Sequence, residues 1–194
     1  TPAHTGADRA EDTFVVTDAD HAVHVFGGLF LEDVDEVVRS GDTFEAAFKA
    51  FFSGRCQAYT TDASGLASVR NKEAPKPEDY LILPELISKE PLGPMVRRGD
   101  DDWLAIVKWS VFALLEAEEL GLTQANIDSR KADPDPSIQR FMGTTEDMGK
   151  LLGLDRQWAV RIVKATGNYA EIYERNVGAQ SPLKLPRGLN RLWN

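Results

Sequence analysis

Apolar residues recur at two different spacings along this chain. Up to about residue 100, short β-prone runs alternate with segments of helical period, a pattern typical of an α/β protein with parallel neighbouring strands. The clearest helix is FEAAFKAFF, where apolar residues repeat at i, i+3, i+4 and i+7 after a cap at Asp42 or Thr43. Strands are predicted at residues 13–17, 22–26, 57–61, 80–84 and 92–97.

The second half of the chain has helical spacing throughout. The run DDWLAIVKWSVFALLEAEELG begins with acids, which favour a helix N-terminus, and closes at Gly121. Shorter helices are predicted at about 123–131, 136–142, 145–152, 155–166 and 168–177. The chain therefore divides into an α/β part followed by a helical part.

Composition narrows the class of protein. The chain has 194 residues, 42% of them hydrophobic, which suits one or two domains with a real core. The formal charge of −9, from 31 acidic and 22 basic residues, argues against a nucleic-acid partner, because binding phosphates needs clustered lysine and arginine. No run is apolar enough to span a membrane, and no signal region precedes TPAHTGADRAEDTF, so we expect a mature or trimmed form.

Motifs for catalysis and metal binding are mostly absent from the sequence. His4, His21 and His24 lie near the start, without cysteines or acid pairs at metal-ligand spacing. The serine in DASGLAS lacks the G-x-S-x-G pattern, and no histidine follows it to act as a base. The run VFGG is too short to cradle a phosphate. We therefore expect neither an enzyme nor a cofactor.

Asp62 is the candidate ligand-binding residue that the sequence offers. It closes the predicted strand QAYTT and precedes a helix predicted from about Ala63 to Asn71. In open α/β sheets ligands bind at the carboxyl ends of strands, where an acid can pair with a ligand ammonium. An aspartate before a helix also serves as an N-cap. The residues alone leave both interpretations open.

Three long sequence motifs, in the same order along the chain, resemble those of a known protein family. They are GRC-x-AYTTDASGL, LPE-x-ISKEPLGP-x-VR and GNY-x-EI-x-ERNVG, and together they extend over roughly residues 43–194. In these signatures the chain resembles the general L-amino-acid-binding proteins of ABC transporters, a branch of the type II periplasmic binding proteins. The resemblance implies that the acid closing YTTD, here Asp62, holds the α-ammonium of a bound amino acid. Thr61 and Ser64 are then expected to line the same pocket.

The resemblance also implies a division of the chain. Residues 1–42 form a diverged or loosely ordered segment with two short strands, and residues 43–90 are the remnant of a second α/β lobe. Residues 91–194 supply a crossing strand and the helical C-terminal part of the first lobe. The expected fold is thus a partial binding-protein lobe, a mixed sheet with flanking helices, followed by a helical region.

Several family features have no counterpart in this chain. The resemblance implies a protein truncated on its N-terminal side, without the arginine that clamps the ligand carboxylate and without the PGTTTE-like turn. The cysteine that usually pairs with the one in GRC is also absent, so Cys56, the single cysteine, has no partner. Because side-chain selectivity would come largely from the absent segment, the bound amino acid is not indicated by the sequence.

Two classes of function remain open. The first is a periplasmic or exported component that binds free L-amino acids and docks on a membrane permease, alone or completed by a chain that supplies the missing lobe. The second is a self-associating interaction or structural protein that reuses the fold without transport. Trp103, Ile106, Val107 and Trp109 would then form an exposed apolar contact surface.

Overall fold

The computed structural model describes residues 14–15, 43–55, 58–84 and 92–193. The chain forms two compact units, Thr1–Pro91 and Leu92–Asn194. The three histidines, Cys56 and the predicted strand at 22–26 lie outside the described residues. Within the described parts of the chain, no helix is long and apolar enough to cross a membrane.

The first unit contains one parallel strand pair and two helices. Phe14 lies opposite Ala58, and Val15 lies opposite Tyr59. In chain order the elements are β1 (Phe14–Val15), α1 (Phe44–Phe52), β2 (Ala58–Tyr59), α2 (Ala63–Glu73) and a 3₁₀ turn at Pro77–Asp79. The parallel pairing agrees with the α/β pattern, because parallel strands need a crossover segment between them.

An aromatic cluster forms the core of this unit. The helical spacing of α1 places Phe48 and Phe51 on its buried face, and the Thr43 hydroxyl caps the helix by accepting from the Ala46 N–H. Ring centroids lie 4.9–6.5 Å apart across the cluster, a range typical of aromatic pairs. Its rings belong to Phe44, Phe48, Phe51, Phe52, Tyr59 and Tyr80.

Among the described residues, the sheet is smaller than the sequence predicts. Residues 80–84 and 92–97 are described but form no strand, and β2 covers only part of the predicted 57–61. A strand exists only where a second backbone lies alongside to complete its hydrogen bonds, and among the described residues neither segment has such a neighbour. Apolar alternation alone therefore overpredicted these two strands.

The second unit is helical, as predicted, with shorter elements in two places. The predicted helices at 123–131 and 145–152 are turns that end in single 3₁₀ segments, because GLTQANID and MGTTEDMG offer side-chain caps and glycines rather than a long apolar face. The full helices are α3 (Asp101–Glu119), α4 (Pro136–Phe141), α5 (Trp158–Thr166) and α6 (Tyr169–Asn176), with 3₁₀ segments at Ser129–Ala132, Gly149–Leu152 and Gly188–Asn190.

Helices α5 and α6 pack against α3 around a well-buried core. Leu122, Ile127 and Val163 are completely buried there. Two close approaches require glycine: a Cβ at Gly143 would lie 2.3 Å from the Arg156 carbonyl oxygen, and one at Gly149 would lie 2.2 Å from that of Asp155. The core members are Ala113, Ala117, Leu122, Ile127, Ile138, Phe141, Met142, Ala159, Val160 and Val163.

Polar groups inside the second unit are paired. The Asn168 side chain accepts from the Glu171 N–H at 3.0 Å and donates to the Leu122 carbonyl at 2.9 Å, while the Glu171 carboxylate accepts from the Asn168 N–H. This capping box ties the start of α6 to the loop after α3. The Arg187 guanidinium donates to the Glu118 carboxylate at 3.0 Å and lies over the rings of Tyr169 and Tyr173.

Candidate functional site

The site predicted from sequence lies where β2 passes into α2. Asp62 occupies the N-cap position of α2, and its carbonyl accepts the first helical bond from the Leu66 N–H at 2.8 Å. Its side chain is exposed and makes no capping hydrogen bond. Among the described residues, no ion pair or hydrogen bond engages this carboxylate. It is therefore free to accept hydrogen bonds from a molecule outside the fold.

The aspartates that precede α3 and α4 behave differently at the same helical position. Asp100 accepts from the Trp103 N–H at 3.1 Å at the start of α3. Asp135 accepts from the Ser137 N–H at 2.7 Å and the Ile138 N–H at 3.4 Å at the start of α4. An aspartate at an N-cap commonly satisfies one of the unpaired helix N–H groups in this way. The uncapped geometry of Asp62 weakens the purely structural interpretation of this residue.

Thr61 and Ser64 lie on either side of Asp62 in the chain and are half-buried. The Thr61 side chain rests over the first turn of α2, since a Cβ at Gly65 would lie 3.1 Å from its Cγ2 and 3.6 Å from its Oγ1. Gly65 thus leaves room for the threonine at this turn. Ser64 belongs to that same first turn. All three predicted site residues therefore lie at one end of β2.

Tyr59 is the last residue of β2 and lies two residues before Thr61, but it was not predicted as a site residue. It is 4% exposed, and its ring lies 6.0 Å from that of Phe51. Its hydroxyl is buried and has no hydrogen-bond partner among the described residues, a condition that costs about 1–3 kcal/mol. Burial raises the pKa of the Tyr59 phenol, and the nearby Thr61 side chain opposes that rise without reaching hydrogen-bond geometry.

The described residues offer few other ligand sites. No group of three histidine, cysteine, aspartate or glutamate side chains comes together among them to hold a metal ion. An open cleft of about 500 Å³ in the second unit is lined by residues 97–102 and includes none of the predicted site residues. One feature of the sequence could have identified Tyr59. It is a tyrosine in a predicted strand that follows a helix rich in phenylalanine, so its hydroxyl would enter an apolar core.

Comparison with known proteins identifies the class of protein to which this chain is similar. No family model matches the chain. Curated proteins match strongly, and over about three quarters of its length the chain is homologous to the amino-acid-binding proteins of ABC transporters. This homology confirms the resemblance inferred from the three sequence signatures.

Two relatives and one solved structure define the similarity. The chain is 55% identical over 147 residues to the general L-amino acid-binding periplasmic protein AapJ of Rhizobium johnstonii, with 75% of this chain and 43% of the relative covered. It is 52% identical over 144 residues to the glutamate/glutamine/aspartate/asparagine-binding protein BztA of Rhodobacter capsulatus, with 74% and 42% covered. The chain therefore spans less than half the length of these relatives.

The solved structure is an ABC transporter periplasmic binding protein from Brucella ovis with glutathione bound. It superposes with a TM-score of 0.71 at 52% sequence identity, covering 78% of this chain and 47% of that one. The fold over these residues is accordingly similar to part of a periplasmic binding protein. All three of these similar proteins are described as binding proteins.

Proposed function

We propose that this chain is the amino-acid-binding component of an ABC transporter, in which Asp62 binds the α-ammonium of a free L-amino acid. The observation that carries the proposal is the exposed Asp62 carboxylate at the carboxyl end of β2, at an N-cap position it does not use for capping. A free carboxylate beside parallel strand ends suits a ligand ammonium, because both charges strengthen the hydrogen bonds. Thr61 and Ser64 supply hydroxyl groups to the same pocket.

The relatives narrow the ligand to be tested. One is described as a general L-amino acid-binding protein, and another as binding glutamate, glutamine, aspartate and asparagine. Glutathione, bound in the similar structure, also contains a free α-amino acid group on its glutamyl residue. An acid that holds an α-ammonium would serve all of these ligands. The first panel of ligands is therefore the four acidic and amide amino acids, followed by glutathione.

The cellular setting follows from the same proposal. The chain acts without catalysis or cofactor, in the periplasm or at the exported cell surface, and delivers its amino acid to a membrane permease. The incomplete sheet of the first unit is extended by further strands in the working binding protein, supplied by the chain itself or by another polypeptide. Fractionation that finds the protein only in the cytosol would contradict this setting.

The test of the site is Asp62→Asn. Asparagine keeps the shape of aspartate and its tolerance of the N-cap position while removing the charge that attracts an ammonium. Titration calorimetry with L-glutamate, L-glutamine, L-aspartate and L-asparagine should show an affinity at least about tenfold weaker for the variant, equivalent to about 1.4 kcal/mol. Far-UV circular dichroism should show an unchanged helix content.

The matched control is Asp135→Asn. It removes one negative charge from another helix N-cap, so the net charge of both variants is the same. Asp135 lies in the second unit and caps α4, and its replacement should leave amino-acid affinity unchanged. Equal affinities for wild type and Asp62→Asn would contradict the role of Asp62. A wild-type protein that binds no amino acid would contradict the proposed function.

An exposed apolar surface favours the second candidate, a self-associating protein. On α3, Trp103 is 51% exposed and Trp109 is 48% exposed, with Phe112 stacked edge-on against Trp109 at 5.6 Å. Ile106 and Val107, expected in the same surface, are half-buried. Large exposed apolar groups often become interfaces. Light scattering that shows a stable oligomer, together with the absence of amino-acid binding, would favour this candidate.

A further inference from the structure

The buried Tyr59 hydroxyl requires an explanation that the proposed site does not yet include. Buried polar groups in native proteins are nearly always hydrogen-bonded, and those that are not need a reason. Within the described chain, this hydroxyl is the buried side-chain polar atom without a partner. Four phenylalanines and Tyr80 make up the rest of the same cluster, so a phenylalanine would suit the packing here as well. Packing alone does not account for the tyrosine.

The position of the hydroxyl relates it to the candidate site. Thr61 follows Tyr59 by two residues at the end of β2, and its side chain acts on the pKa of the Tyr59 phenol, so the two side chains are near each other. Thr61 is confined on its other side by the first turn of α2, where Gly65 leaves just enough space for its Cγ2 and Oγ1. The Thr61 side chain is therefore near both the Tyr59 hydroxyl and the first turn of α2.

We propose that Tyr59 is a positioning residue for the ligand, acting through Thr61. This inference rests on the proposed function. When an amino acid occupies the site beside Asp62, the Tyr59 hydroxyl donates a hydrogen bond to Thr61 Oγ1 and holds the threonine in one rotamer. The Thr61 hydroxyl proton is then directed to the ligand carboxylate or another ligand oxygen. The Tyr59 hydroxyl, which has no partner among the described residues, thus gains one in the bound state.

The arrangement predicts opposite effects on stability and on binding. Replacing Tyr59 with phenylalanine removes a buried hydroxyl that has no partner, so the free protein should unfold at the same or a higher urea concentration. Binding should nevertheless weaken by about three- to tenfold, because the hydrogen bond that orders Thr61 is lost. A residue with a merely structural role would instead change stability and affinity together.

The experiment compares Tyr59→Phe with Tyr80→Phe by urea unfolding and by calorimetry with the amino-acid panel. Tyr80 belongs to the same aromatic cluster, with its ring 5.6 Å from Phe51, and its replacement should leave affinity unchanged. In a Thr61→Val background, Tyr59→Phe should cause no further loss of affinity. The inference is overturned if Tyr59→Phe binds like the wild type, or if its loss persists fully in the Thr61→Val background.

The outcomes separate this inference from the proposed function. If the wild type binds an amino acid and Asp62→Asn weakens binding while Tyr59→Phe does not, only the role of Tyr59 is overturned. If the wild type binds none of the four amino acids, the proposed function fails, and the role of Tyr59 falls with it. If Tyr59→Phe lowers the urea midpoint, the hydroxyl has a partner in the free protein and the inference is also overturned.

Discussion

The first turns of α2 and α6 show how differently the two units of this chain treat their polar groups. At α6, the buried Asn168 side chain uses both its oxygen and its nitrogen within the fold, and Glu171 completes the box. At α2, the Asp62 carboxylate stands at the equivalent position, exposed and without a capping bond. The N-cap side chain is therefore used for hydrogen bonds within the fold at α6, whereas at α2 it makes no capping bond.

The hydroxyl groups of two tyrosines, one in each unit, show the same difference in hydrogen bonding. The Tyr173 hydroxyl, in the second unit, donates to the Pro186 carbonyl at 2.8 Å, and Arg187 lies over its ring. The Tyr59 hydroxyl, in the first unit, has no partner among the described residues. Polar groups satisfied inside a fold stabilise it, whereas unsatisfied groups cost free energy unless a molecule from outside pairs with them. The contrast supports the proposal that the first unit binds the ligand, whereas the paired polar groups of the second unit stabilise its fold.

The largest effect is expected in the core of the second unit. Leu122 is 0% exposed and lies among Ala117, Ile127 and Val163, so Leu122→Ala should lower the free energy of unfolding by about 3 kcal/mol. Leu151 is 83% exposed, and Leu151→Ala should change that free energy by less than about 0.5 kcal/mol. All four tryptophans of the chain lie in this unit, so tryptophan fluorescence during urea unfolding reports on it directly.

The next prediction tests the two helix caps against each other. Asn168→Ala leaves the Glu171 N–H and the Leu122 carbonyl without their partners, and should cost about 2 kcal/mol of unfolding free energy. Asp62→Ala removes no hydrogen bond within the described chain and should cost less than about 0.5 kcal/mol. Urea unfolding followed by far-UV circular dichroism measures both. A loss at Asp62 equal to that at Asn168 would show that Asp62 is an ordinary cap.

Much of the helical architecture could be predicted from the sequence, because the signals there are local. Apolar spacing and acids at the start identify α3, and the apolar period of FEAAFKAFF identifies α1. The strands were harder to predict, since a β-prone run becomes a strand only when a distant segment pairs with it. Residues 80–84 and 92–97 have the composition of strands but no such neighbour in the described chain.

The candidate site was predicted from sequence only in part. Asp62, Thr61 and Ser64 are close together because they are nearly consecutive, so local pattern and resemblance were enough to select them. Whether Asp62 caps its helix could not be decided from sequence, since capping depends on side-chain orientation. The unpaired state of the Tyr59 hydroxyl was also invisible, because it depends on which side chains surround the ring after folding.

The smallest expected effect is the pH dependence of the unfolding free energy that the two tyrosines contribute. Burial, and then the neighbouring Tyr169, raises the pKa of the Tyr173 phenol, and burial also raises that of Tyr59. A raised pKa means that the folded state favours the protonated phenol. The contribution of each group to stability is therefore complete below the unfolded pKa of about 10 and decreases as the pH rises through the folded pKa.

Tyr173→Phe should therefore lower the free energy of unfolding by about 1 kcal/mol at neutral pH, because the hydrogen bond to the Pro186 carbonyl is lost. Above about pH 10 the difference from the wild type should narrow, since only the wild type must then ionise a phenol that the fold holds protonated. Tyr59→Phe should show no cost at neutral pH, because its hydroxyl has no hydrogen bond to lose among the described residues. Urea unfolding of the three proteins at neutral and alkaline pH measures these differences. Equal losses for the two variants at neutral pH would mean that both tyrosine hydroxyls are paired in the free protein, which would remove this contrast between the units.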